Sequence, residues 1–281
     1  MSAREWWDLT TEEFAHLDPA RTVALLPVSA VEQHGPHLPL RVDAAINAGI
    51  LRRALELIPP EPPLLVLPAQ QVGKSNEHLA FRGTLSIQYE TLGRLWLDLA
   101  ESVQRAGCSK ILFFNSHGGQ PQLLDIVCRE LRARRGMLAV NCAWFDVTPM
   151  ADLFDPRELK YGIHGGAVET SIMLHLHPQL VRMDRACDFV SRAEAIEAGT
   201  AVLRVEGATS IGWQTQDLND LGACGDATRA TATAGRELVE RAARALVDLI
   251  LDIWRLDWNP QPAGAVSPAA APQQKAGGKG G

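Results

Sequence analysis

The chain has 281 residues, of which 46% are hydrophobic and 21% charged, the composition of an ordinary globular protein. A formal net charge of -6 argues against nucleic acid or an anionic membrane as a partner, and no apolar run approaches the roughly 18 residues of a membrane span. The five cysteines are widely spaced without a Cys-x-x-Cys pair, and the first residues lack a signal-peptide pattern. We therefore expect a cytoplasmic protein with reduced thiols and with no nucleic-acid or membrane partner.

Hydrophobic periodicity predicts strands and helices that alternate along the chain. In order, it predicts a capped helix at 10–16, a strand at 22–28, a helix at 43–57, a strand at 64–68, a helix at 90–104, a strand at 110–115, a helix at 120–135, a strand at 137–142, a helix between 164 and 178, and a long helix at 226–256. The strand–helix order repeats at least three times, which indicates an α/β protein with a mostly parallel sheet covered by helices on both faces.

One domain is predicted for residues 1–258, because no repeat and no change of composition divides this part of the chain. Within it, 190–225 is rich in Gly, Thr and Asp and is predicted to be irregular. From 259 to 281 the composition changes to Pro, Ala, Gly, Gln and Lys, which predicts a disordered tail.

Acidic and histidine side chains come directly after the predicted strands. Glu32 and His34 follow the first strand, two positions apart on extended backbone, so both can point to one side. Asp43 opens the next helix, His117 follows the strand at 110–115, and Glu169 lies one turn into a later helix. Ligands bind at the carboxyl ends of strands in open α/β sheets. This mixture of imidazole and carboxylate suits zinc, manganese or iron(II), and a bridging aspartate would fit two ions about 3.5–4 Å apart.

Each residue also has a simpler interpretation. A lone histidine such as His117 often only makes a local hydrogen bond, Asp43 could cap its helix, and Glu169 could be a solvated helix residue. Three Gly-flanked clusters of acid and histidine after strands together favour a metal or polar catalytic site.

Five segments, in order, resemble the creatininase (creatinine amidohydrolase) family. They are EQHGPHLPLRVD at 32–43, GKSNEHLAFRGT at 73–84, NSHGGQ at 115–120, HGGAVETS at 164–171 and GDATRAT at 225–231. The resemblance runs from about residue 5 to 255 and implies a three-layer α/β/α sandwich with a mostly parallel central sheet. It also implies a homo-oligomer, often a hexamer in that family, and two divalent metal ions, which we expect to be Zn, Mn or Fe.

The resemblance also implies roles for individual residues. One ion would be held by Glu32, Asp43 and His117, and the second by His34, Asp43 and Glu169. His164 would be an acid/base group, and Glu169 would belong to the catalytic set as well. Substrate contacts are expected from His37, His78 and Trp144, although a loop hydrogen bond is an equal alternative for His37.

Three departures from creatininase proper argue against creatinine as the substrate. Creatininase has a glutamate ligand two positions after the histidine of the third motif, where this chain has Gly119, so Glu169 is expected to supply that ligand. Ile163 replaces a glutamate that precedes the catalytic histidine. Trp144 matches one of two lid tryptophans, and the other has no counterpart near 160–162.

The resulting prediction is a metal-dependent amidohydrolase that cleaves a non-peptide C–N bond in a small molecule through a metal-activated water. The bond would be a cyclic amide or a formamide, as in the deformylases that belong to the broader family. Two alternatives stay open: a peptidase acting on a modified small peptide, of the mycofactocin-maturation type, and a non-catalytic metal-binding scaffold.

Overall fold

Five strands form one parallel sheet in the computed structural model of the protein, which describes residues 4–259. They are β1 (Arg4–Glu5), β2 (Val23–Val28), β3 (Leu64–Val66), β4 (Lys110–Asn115) and β5 (Leu138–Ala143). Their order across the sheet is β1-β3-β2-β4-β5, and every neighbouring pair is parallel. A separate antiparallel pair is formed by β6 (Asp188–Phe189) and β7 (Gly225–Asp226).

The helices lie between and after the strands. They are α1 (Thr11–Phe14), α2 (Val42–Leu57), α3 (Tyr89–Arg105), α4 (Pro121–Arg135), α5 (Pro156–Tyr161), α6 (Ala167–Leu176), α7 (Ala193–Ala198), α8 (Thr215–Leu218) and α9 (Ala232–Arg255). None of the helices between residues 4 and 259 is long and apolar enough to cross a membrane.

Alternate residues of the central strands pack into two apolar layers, one on each face of the sheet. Val23 and Leu25 of β2 belong to the layer formed with α2, α6 and α9. Ala24 and Leu26 of the same strand belong to the layer formed with α3 and α4. Strands that are apolar on both faces need helices on both sides, which is why the sequence of β2 is apolar throughout. The predicted three-layer α/β/α sandwich with a mostly parallel sheet is confirmed.

The structure departs from the predicted elements at several places. The segment 190–225, predicted to be irregular, contains the short helices α7 and α8, and α5 was not predicted. The long helix begins at Ala232, not at 226, because Gly225 and Asp226 pair with β6 and Thr231 caps the helix by accepting from the Ala234 amide. Strand β1 has only two residues, too few for a periodicity to show. The predicted tail lies, from residue 260 on, outside the described residues.

A crevice opens where the chain reverses its direction across the sheet. From β2 the chain first moves to β3 and then crosses to β4 on the other side of β2. The carboxyl ends of β2 and β4 therefore meet at a switch point, where α/β proteins bind ligands. Asn47 of α2 fixes this junction, since its Nδ2 donates to the carbonyls of Val28 (3.1 Å) and Phe114 (2.9 Å).

Helices α6 and α9 approach each other closely at Gly235. A Cβ at this position would lie 1.9 Å from the carbonyl oxygen of Ser171. The position therefore needs a residue without a side chain. The close contact between Gly235 and Ser171 holds α6 against α9.

We predict that Gly235→Ala lowers the free energy of unfolding by about 1–3 kcal/mol, as overpacking does, although alanine normally favours a helix. Urea denaturation measures the change. Gly199→Ala is the control, because a Cβ there has no contact closer than 3.6 Å. Equal stability of the two variants would contradict the close contact.

Candidate metal centre

Asp43 lies between two imidazoles. Its Oδ1 is 3.5 Å from His34 Nε2, and its Oδ2 is 3.5 Å from His117 Nδ1. Asp43 is buried at the second position of α2, whose N-cap is Arg41, so the capping role considered for Asp43 does not apply. A carboxylate with a different imidazole at each oxygen has the arrangement of a bridging ligand.

Glu32 and His117 form the group on one side of Asp43. Glu32 Oε1 is 3.2 Å from His117 Nδ1. The other ring nitrogen of His117, Nε2, is 2.7 Å from the carbonyl oxygen of Lys74. Because a carbonyl can only accept, Nε2 carries a hydrogen, and Nδ1 is the ring nitrogen that faces the carboxylates.

His34 and Glu169 form the group on the other side. His34 Nε2 is 3.7 Å from Glu169 Oε2, while His34 Nδ1 is 3.1 Å from the carbonyl oxygen of Glu32, to which it donates. The backbone N–H of Gly165 donates to Glu169 Oε2 at 2.6 Å. Gly165 has a φ of 65°, in the left-handed region that favours glycine, so this residue type lets the loop direct its amide at Glu169.

Several buried atoms of this cluster make no hydrogen bond with any described residue. They are Glu32 Oε2, His34 Nε2, Asp43 Oδ2 and Glu77 Oε1. Buried carboxylate oxygens without partners are strongly disfavoured unless a cation compensates them. Three groups have ligand-type atoms that all lie within 4.8 Å of one another, and the expected set of His34, Asp43 and Glu169 is one of them, whereas Glu32 and His117 are grouped with Glu77 and not with Asp43. The third group is Glu32, His34 and His164. The mixed oxygen and nitrogen donors suit zinc or manganese, so these residues fit divalent ions.

The pKa values of His34 and His117 also show that this cluster favours positive charge. Burial alone would disfavour the charged form of His34, but Glu169 and Asp43 outweigh it and raise the pKa of His34 well above its ordinary value. Burial is likewise outweighed at His117, where Glu32 and Asp43 raise the pKa. The carboxylates thus draw positive charge to both sides of Asp43.

His164 lies between two other imidazoles, and its ring is tilted by 31° and 36° against theirs. Its ring centroid is 4.1 Å from that of His34 and 4.3 Å from that of His78. His164 Nε2 donates to the carbonyl of Gln33 at 2.6 Å, so Nδ1, which is 3.8 Å from Glu32 Oε1, is left as an acceptor facing the centre. Burial, followed by the charge on His34, lowers the pKa of His164.

His78 is buried beside the centre. Its Nδ1 is 2.9 Å from both Gln33 Nε2 and Thr215 Oγ1, and its Nε2 is 3.6 Å from Glu32 Oε1. Burial, followed by the charges of the neighbouring imidazoles, holds the pKa of His78 far below its ordinary value. His78 therefore offers a neutral ring to whatever occupies the site.

A cavity of about 740 Å³ lies over the cluster. Its base and walls include the following residues named from the sequence: Glu32, Asp43, His78, His117, Trp144, His164 and Glu169. Apolar side chains of Phe145, Met150 and Val168 add to the wall. The indole Nε1 of Trp144 is buried without a partner in the described part of the chain.

His37 does not line this cavity. Its Nε2 bonds to Thr170 Oγ1 at 3.0 Å, and its ring stacks on Phe189 at a centroid distance of 5.0 Å. Burial lowers the pKa of His37 to about 4. The geometry supports the loop hydrogen bond considered from the sequence, and a substrate contact of His37 stays a prediction without geometric support.

Glu77 is the residue that sequence reasoning missed. It is buried in the 3-10 turn Asn76–His78, with Oε1 3.4 Å from His117 Nε2 and Oε2 3.1 Å from Lys74 Nζ. It also lies against Gly119, while Glu169 lies beside His34, on the side to which the resemblance assigned it. The signal was in the sequence: Glu77 precedes His78 within one of the five recognised segments.

Known proteins resemble this chain over most of its length. A family model described as creatinine amidohydrolase matches residues 7–250. The mycofactocin precursor peptide peptidase of Mycobacterium ulcerans is 31% identical over 272 residues, which are 92% of this chain and 95% of that protein. The creatinine amidohydrolase of Pseudomonas putida is 30% identical over 198 residues, 64% of this chain and 75% of that protein.

Solved structures show the same architecture. A manganese form of creatininase has a TM-score of 0.69 and 25% identity, covering 90% of this chain and 99% of that one. A mutant creatininase described as Zn-Zn type has a TM-score of 0.68 and 25% identity, covering 90% and 98%. The structural relatives therefore include proteins with manganese and with zinc.

We predict that Asp43→Asn weakens binding of both ions, on the order of 100-fold or more, because a bridging carboxylate contributes to each. Elemental analysis after zinc loading and gel filtration measures the bound ion. His37→Gln is the control, since His37 is buried in the same segment but contacts Thr170 instead of the cluster. Equal zinc contents in the two variants would exclude Asp43 as the bridging residue.

Proposed function

Because this chain belongs to the creatininase family, we propose that it is a metal-dependent amidohydrolase that cleaves an amide bond in a peptide-sized substrate. The observation that carries the proposal is the cavity of about 740 Å³ over the carboxylate–imidazole cluster. Pockets for drug-sized ligands have volumes of about 300–1,000 Å³. A single small ring such as creatinine would leave most of this space empty.

The relatives support the larger substrate. The peptidase named for the mycofactocin precursor matches 92% of this chain, whereas the creatinine amidohydrolase matches 64%. The apolar wall formed by Trp144, Phe145 and Met150 would bind an apolar side chain of the substrate. The unpartnered indole N–H of Trp144 would donate to a substrate carbonyl.

The ions would be held by the carboxylates and imidazoles on the two sides of Asp43. When bound, divalent ions polarise a carbonyl group and lower the pKa of a water molecule. The protein residues around them supply the remaining steps. The tautomers of His34 and His117 are fixed by backbone carbonyls, so each ring keeps one nitrogen lone pair directed at the cluster.

His164 would move the proton. Its Nε2–H is held by the carbonyl of Gln33, so its Nδ1 is free to take a proton from the attacking water. The same nitrogen can then release the proton to the leaving nitrogen of the amide, which makes His164 base and acid in turn. Ring contacts with His34 on one side and His78 on the other hold the imidazole in place.

The second candidate is hydrolysis of a cyclic amide or formamide in a small molecule, as the sequence suggested. It is favoured by the 30% identity to a creatinine amidohydrolase. A panel of creatinine, formylaminopyrimidine and short peptides, assayed with the zinc- or manganese-loaded protein, separates the candidates. We expect the highest kcat/KM with a peptide.

The panel also has outcomes against the proposal. Turnover of the small molecules alone would replace the peptide substrate with the second candidate. Bound ions with no turnover of any compound would favour the non-catalytic scaffold.

Removal of metal should abolish activity without unfolding the protein. We predict that dialysis against a chelator removes the hydrolysis, and that Zn or Mn restores it, because the proton-transfer residues alone cannot polarise the carbonyl. Circular dichroism monitors the fold, and elemental analysis verifies the metal content. Undiminished activity in verified metal-free protein would contradict the mechanism.

We predict that His164→Gln lowers kcat by about 10²–10⁴-fold while the metal content stays unchanged, because a general acid–base group is lost and no bridging ligand is. Steady-state kinetics with the best compound of the panel measures the change. His175→Gln, an exposed position in the last turn of α6, serves as the matched control. A His164 variant as active as the His175 variant would show that the proton moves by another route.

A further inference from the structure

We propose that Glu158 is a positioning residue for His164, because its buried carboxylate joins the two backbone segments that hold His164 in place. His164 moves the proton in the proposed function, on which this inference rests. Glu158 lies outside the ligand set and outside the five segments that resemble the creatininase family.

Helix α5 fixes the position of Glu158. This residue lies in the first turn of α5 and is 6% exposed. Asp155 caps the helix, since its Oδ1 accepts from the backbone amides of Arg157 and Glu158, both at 3.0 Å. A buried carboxylate needs donors from the protein in place of water. The partners of Glu158 must therefore come from the elements that pack against α5.

Each oxygen of the Glu158 carboxylate accepts from a different segment of backbone. Oε1 accepts from the amide of Ala167 at 2.6 Å, and Oε2 accepts from the amide of Asp226 at 2.8 Å. Ala167 is the first residue of α6, whose N-cap, Gly166, has no side chain to accept from the first amides. Negative charge is favoured at a helix N-terminus, and hydrogen bonds to a charged acceptor are the stronger ones.

The two segments joined by Glu158 are those that hold the backbone of His164. His164 forms an isolated antiparallel bridge with Cys224, in which its carbonyl accepts from the Cys224 amide at 2.7 Å. Ala167 follows His164 by three positions, and Asp226 follows Cys224 by two. The carboxylate of Glu158 therefore ties both sides of this bridge together close to the imidazole.

Three glycines leave the space that the carboxylate occupies. A Cβ at Gly162, Gly166 or Gly225 would collide with the carboxyl group of Glu158. Gly225 has a φ of 123°, in the region that favours glycine, and a Cβ there would also lie 2.8 Å from the Cα atoms of Gly162 and Gly166. The backbone on both sides of the bridge is thus packed tightly around one carboxylate.

The direction of the His164 ring depends on this packing. Its Nε2 donates to the Gln33 carbonyl at 2.6 Å, and its Nδ1 lies 3.8 Å from Glu32 Oε1. A shift of about 1 Å in a reacting group can lower a rate about 100-fold. Glu158 belongs to none of the groups of ligand atoms among the described residues, so its effect on catalysis would come through the backbone of His164.

The first experiment compares Glu158→Gln with Arg157→Gln in the zinc- or manganese-loaded protein, using the best compound of the panel. The carboxamide has one accepting oxygen and so can hold only one of the two segments. We expect kcat to fall on the order of 10- to 100-fold, with KM and metal content close to those of the wild type. Arg157 is the matched control, because it is the neighbouring residue in α5 and forms exposed ion pairs with Asp188 and Glu194. Equal kcat values for the two variants, or a loss of metal that accounts for the whole loss of kcat, would overturn the proposal.

A double-mutant cycle tests whether Glu158 acts through His164. We expect Glu158→Gln to lower kcat when His164 is present and to have almost no further effect in the His164→Gln background. The same factor in both backgrounds would show that Glu158 acts by another route. A His164→Gln variant with full activity would instead contradict the proposed function, so the two failures are distinguishable.

Gly166→Ala tests the same contact from the other side, and it carries the test if Glu158→Gln fails to fold. Gly166 has extended backbone that alanine can adopt, so the added Cβ acts by displacing Glu158 from the Ala167 amide. We expect a lower kcat at unchanged zinc content. Gly199→Ala, whose Cβ would have no contact closer than 3.6 Å, should be as active as the wild type. Circular dichroism verifies the fold of each variant, and equal activity of the two alanine variants would refute the role of Glu158.

Discussion

Buried carboxylates without enough hydrogen-bond donors are the constraint on which this structure depends. Glu32 and Asp43 are 1% and 2% exposed, and each has an oxygen with no partner in the described chain. Moving a carboxylate out of water is disfavoured by several kcal/mol per ion unless opposite charge is close by. The two imidazoles next to Asp43 meet part of this need when protonated. Divalent cations would meet it more fully, which makes metal binding the simplest explanation for the cluster.

The sheet brings these charges together and keeps them in place. Strands β2 and β4 are neighbours with parallel register, so the residues that follow them meet at one edge. Asn47 joins the last residues of both strands, and backbone carbonyls fix the rings of His34 and His117. The centre is therefore built from rigid elements, whereas the cavity wall that would select a substrate comes from later segments such as 205–213 and Trp144.

Much of this arrangement was predictable from the sequence, since strand and helix periods are local properties and strand ends coincide in a parallel sheet. That Glu32 and His117 lie at the same edge followed from that geometry, whereas their assignment to one ion came from the resemblance to the creatininase family. The start of α9 at Ala232 did not, because β6 and β7 pair over a long sequence separation. Glu77 was not predicted as part of the centre either: nothing local to residues 73–84 reveals that the turn folds against Gly119. For His37 the sequence left a substrate contact and a loop hydrogen bond equally open, and the ring faces Thr170 and Phe189, away from the cavity.

The most direct test of a two-ion centre at Asp43 is crystallographic. Crystals of the manganese-loaded protein, measured at the manganese absorption edge, locate each ion without reference to activity. We predict two anomalous peaks about 3.5–4 Å apart, one on each side of the Asp43 carboxylate. A single peak remote from Asp43, or no peak in crystals whose protein contains manganese by elemental analysis, would contradict it.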